Sequence, residues 1–144
     1  MGPTTVLHVE DDPNDALLLQ HACRKAGTSL HLQSVSDGED ALAYLRGMDE
    51  FGNREQHPLP SLVLLDLKMG RLNGFDVLTW MRKEEKFRRV PVVVLTSSNH
   101  DADVKRAYDL GANSYLVKPV NFDALVELVK AIQHYWFKLN ERAV

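Results

Sequence analysis

The chain is expected to fold as an α/β domain, a five-stranded doubly wound parallel sheet with five helices and flavodoxin-like topology. Three features of the sequence carry this expectation. Short β-prone runs alternate five times with stretches of helical periodicity, and strand–helix–strand crossovers, being right-handed, build a parallel sheet covered on both faces. One run, Leu62-Val63-Leu64-Leu65, is apolar without interruption and is fenced by Pro60 on one side and Gly70, Asn73 and Gly74 on the other, as a strand buried on both faces would be. Polar residues then stand directly at the ends of the runs, Asp66 first among them. In open α/β sheets that edge is where ligands bind.

The elements can be justified in order. Thr5-Val6-Leu7-His8-Val9 is a short β-prone run that stops at Glu10-Asp11-Asp12-Pro13. Asp12 suits a helix N-cap with Pro13 at the first helical position. Ala16, Leu17, Leu19, Ala22, Cys23 and Ala26 continue as a helix ending at Gly27. Leu30 to Val35 reads as a second strand, broken by Asp37-Gly38. A second helix carries Ala41, Leu42, Tyr44 and Leu45 and fades near Gly47. Residues 48–60 are polar, with Gly52, Pro58 and Pro60, and read as a long surface loop. After the Asp66 strand, Phe75, Val77, Leu78 and Met81 mark a third helix. Pro91 to Thr96 is a fourth strand, and Asp101 opens a fourth helix that Gly111 closes. Ser114-Tyr115-Leu116-Val117 is the fifth strand, ending at Lys118-Pro119. Asn121 caps a last helix expected over about 121–140, with Leu125, Val129, Ile132 and Trp136 facing the sheet and Tyr135 and Phe137 off that stripe.

Composition narrows the class. At 144 residues the chain is read as one domain over 1–144, with 44% hydrophobic and 26% charged residues, the proportions of an ordinary globular protein. A formal net charge of −3 and the lack of a basic run argue against nucleic acid as a partner. No segment has the apolar length of a membrane span, and the amino terminus lacks the layout of a signal peptide. A single Cys23 forms no internal disulfide and fits a reducing, cytoplasmic setting. The six histidines are scattered without metal-ligand spacing, so core or surface roles are expected of them.

The chemistry lies at the strand ends. Taken alone, Asp66 could be only a cap or turn residue. Yet the first strand ends in Glu10-Asp11, the third in Asp66, the fourth in Thr96 and the fifth in Lys118. Facing one crevice, these bring three carboxylates, a hydroxyl and an ammonium together. The carboxylates repel one another and require a cation or shifted protonation. An all-oxygen acidic site suits Mg²⁺, and Mn²⁺ can take its place. Thr96 could then donate to one phosphoryl oxygen and Lys118 pair with another, so the chemistry is attack of the Asp66 carboxylate on phosphorus to give an aspartyl phosphate.

With these motifs the chain resembles the receiver domains of two-component response regulators over nearly its whole length. The segments that carry the likeness are Val9-Glu10-Asp11-Asp12, Leu64-Leu65-Asp66-Leu67-Lys68-Met69 with Gly74, Val94-Leu95-Thr96-Ser97, and Tyr115-Leu116-Val117-Lys118-Pro119. The resemblance implies that Asp66 accepts phosphoryl from a sensor histidine kinase. It gives Glu10, Asp11 and the backbone carbonyl of Lys68 to the metal, Thr96 and Lys118 to the phosphoryl oxygens, and a switching role to Thr96 and Tyr115. It also implies a cis Lys118–Pro119 bond. The protein would be a phosphoacceptor that assists its own phosphorylation and dephosphorylation, not an enzyme with a separate substrate. Gly70 departs from the family's usual proline and should loosen that loop. The long loop at 48–60 and the aromatic tail His134-Tyr135-Trp136-Phe137 are similar to the single-domain regulators associated with bacterial phytochromes, which implies a bacteriophytochrome as the kinase.

Further expectations follow from position. Lys68 and Ser98 lie two residues beyond Asp66 and Thr96, flank the path of a water attacking an acyl phosphate, and should set its lifetime. The last helix runs nearly to Val144, so output is expected through contact with another, unidentified protein. A homodimer is expected through helix four, strand five, helix five and the carboxy-terminal aromatics, with Tyr108 extending the patch. Rival readings are weaker on these residues. A dehalogenase-like phosphatase needs a second aspartate two places after the nucleophile, where this chain has Lys68. A flavodoxin-like or nucleotide-binding module needs a glycine-rich first loop, where this chain has carboxylates. A receiver-like scaffold that is never phosphorylated would have no use for the acceptor-site residues.

Overall fold

The computed structural model describes residues 4–142. Five strands, β1 (Thr4–Val9), β2 (Leu30–Val35), β3 (Leu62–Leu65), β4 (Val92–Thr96) and β5 (Ser114–Val117), alternate with five helices. These are α1 (Pro13–Ala26), α2 (Gly38–Arg46), α3 (Gly74–Lys83), α4 (Asp101–Asp109) and α5 (Phe122–Ile132). All strand pairs are parallel, in the order β2-β1-β3-β4-β5. The direction of winding reverses between β1 and β3, so the topological switch point lies where Glu10, Asp11 and Asp66 follow their strands.

Side-chain alternation divides the core. Val63 and Leu65 of β3 join Leu7, Val9, Val92 and Val94 under α2, α3 and α4. Leu62 and Leu64 join Val6, Val93 and Leu95 on the opposite face, against α1 and α5. Since β3 is fully buried on both sides, the apolar run has no polar alternate until Asp66. Helix starts are fixed as the sequence suggests. The side chains of Asp12, Asp37, Asn73 and Asn121 each accept a backbone N–H of the first helical turn, and Asn73 with Asp76 forms a reciprocal capping box. α1 stops at Gly27 in the left-handed conformation (φ 69°).

Three details differ from the sequence expectation. The segment 48–60 is not a bare loop: Asp49–Gly52 forms a 3₁₀ turn, and Arg54 donates to the carbonyls of Tyr44, Leu45 and His57. Tyr44, fully buried, donates its hydroxyl to Pro58 O at 2.7 Å and packs against Phe51 and His57. The lining side chains of the loop thus belong to the domain core. The Lys118–Pro119 bond, expected cis, is trans, as the described residues contain no cis peptide. Trans is the intrinsically favoured isomer, and the chain enters that bond with Lys118 N–H still donating to Thr96 O at 2.8 Å as an extension of the ladder. Finally, the last helix changes period. After Ile132 it widens into a π-helical segment, Gln133–Leu139. The wider turn brings both Trp136 and Phe137 partly onto the α1/α5-side core and leaves Tyr135, half exposed, outside.

Close backbone approach explains one glycine at the acceptor strand. A Cβ on Gly74 would lie 2.2 Å from Asp66 O and 2.8 Å from Leu67 Cα. The first turn of α3 therefore packs directly on the backbone that presents Asp66. Gly70, by contrast, has open space around it. Gly74→Ala should cost roughly 1–3 kcal/mol by overpacking; urea unfolding of the variant tests this, and a parent-like midpoint would show that the contact relaxes freely.

Candidate functional site

Asp66 follows β3 and is 5% exposed. Its Oδ1 accepts the Thr96 hydroxyl at 2.7 Å and the Lys68 N–H at 3.3 Å, while its Oδ2 lies 3.3 Å from Lys118 Nζ. The ends of β3, β4 and β5 are therefore joined through one carboxylate. Glu10, 2% exposed, follows β1 and takes the Asp12 N–H on Oε2; its Oε1 is 2.6 Å from Lys118 Nζ, an ion pair without the angles of a hydrogen bond. Asp11 is exposed beside it. Among the described residues, Glu10, Asp11 and Asp66 offer oxygens that lie within 4.8 Å of one another. That all-oxygen donor set fits a hard divalent cation. The Asp12 side chain instead caps α1 by accepting the Asn14 N–H and is not one of these three donors.

The electrostatics follow from burial. Burial favours the neutral form of Glu10 and pushes its carboxyl up to about 7, against the pull of Lys118. Burial would lower the Lys118 ammonium, but hydrogen bonds to Asp15 and the carboxylates of Glu10 and Asp66 outweigh it and raise it. Lys118 is thus a fixed cation at the centre of an acidic cluster.

The sequence-derived site residues do not all meet there. Glu10, Asp11, Asp66, Thr96 and Lys118 converge. The side chains of Lys68 and Ser98 are both engaged by Asp103 on α4. Lys68 Nζ is 3.0 Å from Asp103 Oδ2, and Ser98 Oγ donates to the same oxygen at 2.6 Å. These two partners hold the Asp103 carboxyl below the usual carboxylate range. Tyr115 donates its hydroxyl to Ser98 O at 2.9 Å, so its ring is drawn toward the β4–α4 loop while Thr96 is already on Asp66.

Three residues of the site region escaped sequence reasoning: Asp15, Asp103 and His8. Asp15, in the first turn of α1, lies 2.8 Å from Lys118 Nζ. In sequence it reads only as an acid in the first turn of a helix. Asp103 looked like an ordinary first-turn acid. His8 lies on the α1/α5 face of β1, in a small cavity with Glu10, Asp15 and Lys118 that Leu18, Leu19, Leu95 and Leu125 close off. Burial above all, and then the Lys118 charge, lowers it to about 4.

Comparison with known proteins gives a consistent result. Residues 6–130 match the family model described as the response regulator receiver domain. A probable methanogenesis regulatory protein, FilR2 of Methanothrix harundinacea, is 41% identical over 138 residues, covering 96% of this chain and 86% of that protein. Response regulator Rcp1 of Synechocystis is 35% identical over 136 residues, 94% of this chain and 90% of Rcp1; the structure of its Mn²⁺-bound form aligns with a TM-score of 0.85 at 33% identity over 99% of this chain and all of that one. The phosphorylated cyanobacterial phytochrome response regulator RcpA aligns with a TM-score of 0.89 at 32% identity, again over 99% of this chain and all of that one.

The buried histidine gives a pH prediction for the metal-free protein. His8 titrates near 6.5 when unfolded and near 4 when folded, so its contribution to stability is complete above pH 6.5 and is lost as pH falls toward 4. Glu10 acts oppositely: its contribution is complete below about 4.5 and fades as pH rises toward 7. The two slopes offset in the parent. His8→Leu removes one of them, so stability relative to the parent should improve by about 3 kcal/mol between pH 7 and pH 4. Urea unfolding of both proteins across that range reads the difference; parallel curves would mean the ring is not buried neutral.

Proposed function

The chain belongs to the response regulator receiver domain family, and from that premise we propose that it takes a phosphoryl group on Asp66 from a sensor histidine kinase and signals through phosphorylation-dependent protein contacts. The single observation that carries the reading is the Asp66 carboxylate itself, buried at the switch point with the Thr96 hydroxyl and the Lys118 ammonium both directed onto it. An Asp66 oxygen attacks phosphorus as the P–N bond of the donor phosphohistidine breaks. The imidazole leaves with the electron pair and is protonated. Thr96 and Lys118 are then placed to donate to the phosphoryl oxygens. Glu10, Asp11 and Asp66, with the Lys68 carbonyl, would hold Mg²⁺ or Mn²⁺, which when bound neutralises charge on the incoming phosphoryl oxygens.

The same reading assigns the surrounding groups. Thr96 and Tyr115 form the switch between the site and the α4–β5–α5 face. Lys68 and Ser98 govern the lifetime of the acyl phosphate, a role supported by their places two residues beyond Asp66 and Thr96. The kinase is a bacteriophytochrome-type sensor, supported by the likeness to RcpA and Rcp1. The protein acts in the cytoplasm, where Cys23 stays reduced. A homodimer forms through α4, β5, α5 and the tail. Tyr108, Val117, Tyr135 and Leu139 are exposed apolar side chains in these elements, and aromatic anchors suit an interface centre.

Intact mass after incubation with acetyl phosphate and Mg²⁺ tests the acceptor: Asp66→Asn should lose the adduct entirely and Asp11→Asn should lose most of it. A full adduct on Asp66→Asn would refute the assignment. The lifetime is tested by following loss of the adduct. Lys68→Ala and Ser98→Ala should both lose phosphoryl faster than the parent, and unchanged decay in both would remove them from this role. Sedimentation equilibrium at micromolar concentration tests the dimer. Tyr135→Ala should shift it toward monomer, and a monomer mass for the parent, with and without phosphodonor, would rule it out.

A further inference from the structure

We propose that Asp15 is a positioning residue for phosphoryl capture: its carboxylate anchors the Lys118 ammonium at the acceptor site so that the cation stays in place when its other partners are engaged. This rests on the reading of Asp66 as the phosphoacceptor. An ammonium has three N–H donors and no acceptor. Three carboxylates surround Lys118 Nζ: Glu10 at 2.6 Å, Asp15 at 2.8 Å and Asp66 at 3.3 Å. Two of these have other work. Glu10 and Asp66 belong to the group whose oxygens could share a cation, and Asp15 does not. Asp66 also gives up its negative charge once an oxygen is acylated to phosphorus. Asp15 is the one carboxylate of the three with no other duty.

Among the described residues, these three are the carboxylates within reach of the ammonium. Around Lys118 the cavity is lined by Leu18, Leu19, Leu95, Pro119 and Leu125, with His8 as a further polar side chain. A lysine carries its charge on a flexible four-carbon stem, so an ammonium without a fixed acceptor would sample several positions. Asp15 is itself well held. It sits in the first turn of α1, whose start is fixed by the Asp12 cap and Pro13, and that helix packs against α5 on the same face as β1. The Asp15–Lys118 hydrogen bond spans 103 positions of sequence, from the first helix to the end of the last strand. A purely structural account would make Asp15 a favourable acid at a helix N-terminus. That account needs only a negative charge near the helix start and is indifferent to Lys118.

The test uses the full chain with acetyl phosphate and Mg²⁺, the rate of adduct formation being read by intact mass. Asp15→Asn should slow capture about tenfold, the order expected for one lost charge-assisted hydrogen bond. Asp15→Glu should recover most of the rate. In a Lys118→Ala background, Asp15→Asn should add no further loss, because the residue acts only through that ammonium. A second readout needs neither metal nor turnover. In ¹⁵N-labelled metal-free protein the hydrogen-bonded Lys118 ammonium should give a slowly exchanging Nζ signal, whose exchange quickens in Asp15→Asn, where two of its three carboxylates remain, and slows again in Asp15→Glu. Capture by Asp15→Asn at the parent rate, or an equal slowing in the Lys118→Ala background, would overturn the proposal. A parent that takes up no phosphoryl, or an Asp66→Asn variant that does, would instead overturn the reading on which it rests.

Discussion

One partly buried cation among carboxylates governs this molecule. Glu10, Asp15 and Asp66 come from the end of β1, the first turn of α1 and the end of β3, and all three reach the ammonium of Lys118 at the end of β5. Two of the acids are almost fully buried. Removing such charges from water is costly, and their mutual repulsion adds to the cost. Without Lys118 at least one would have to be protonated, and Glu10 is already biased that way. The lysine therefore does what a divalent cation would also do at the same oxygens. Its presence explains how an acidic crevice can exist at the edge of a marginally stable domain before any metal is bound.

That arrangement needs a rigid frame, and the sheet supplies it. Because β3 is buried on both faces, a one-residue slip would move Leu62 and Leu64 from one core to the other and carry Asp66 with them. The direct contact of Gly74 with the Asp66 backbone sets the same position from the other side. Farther out, Arg82 donates to the carbonyls of Gly111, Phe87 and Val90 and to Asn113 Oδ1, tying α3 to the segments that lead into β4 and β5. Its burial lowers the guanidinium's affinity for its proton, but several acceptors hold it. The backbone positions of Thr96 and Lys118 are thus inherited from packing, and the Lys118 ammonium is then held by its carboxylates.

The fold was legible in the sequence because its signals were local. Periodicity, caps and glycine stops are properties of a few neighbouring residues, and Asp12, Asp37, Asn73, Asn121 and Gly27 do in the structure what their types suggest. Strand-end positions were equally local, which is why Glu10, Asp66, Thr96 and Lys118 could be named together. What could not be read depends on side chains crossing between distant elements. Lys68 was visible as a neighbour of Asp66, but its partner Asp103 lies on a different helix. Asp15 and His8 carry no local mark of a site, since one looks like a helix-start acid and the other like a core position. The change to a π-helical segment after Ile132 was invisible for another reason. The apolar residues of the tail fit a 3.6 period passably, and only packing against the α1/α5-side core selects the wider turn that seats Phe137.

Asp103 shows how a site can be tied to a distant surface through very few atoms. One of its oxygens takes both the Lys68 ammonium, from the loop after β3, and the Ser98 hydroxyl, from the loop after β4. The carbonyl of that same Ser98 accepts the Tyr115 hydroxyl from β5. Two loops, β5 and the start of α4 are therefore joined through Asp103 and Ser98. Lys68 is more than half exposed, so its bond to Asp103 is screened and individually weak. A doubly charged phosphoryl group near Lys68 would compete with a single carboxylate for the same ammonium. The bond to Ser98 is shorter, better shielded and independent of that competition. The network thus joins a contact that yields to a new charge with one that holds, and Asp103 belongs to both. Because coupling free energy is reciprocal, the Lys68–Asp103 contact opposes the pull of a phosphoryl group on Lys68 by the same free energy with which that group opposes the contact.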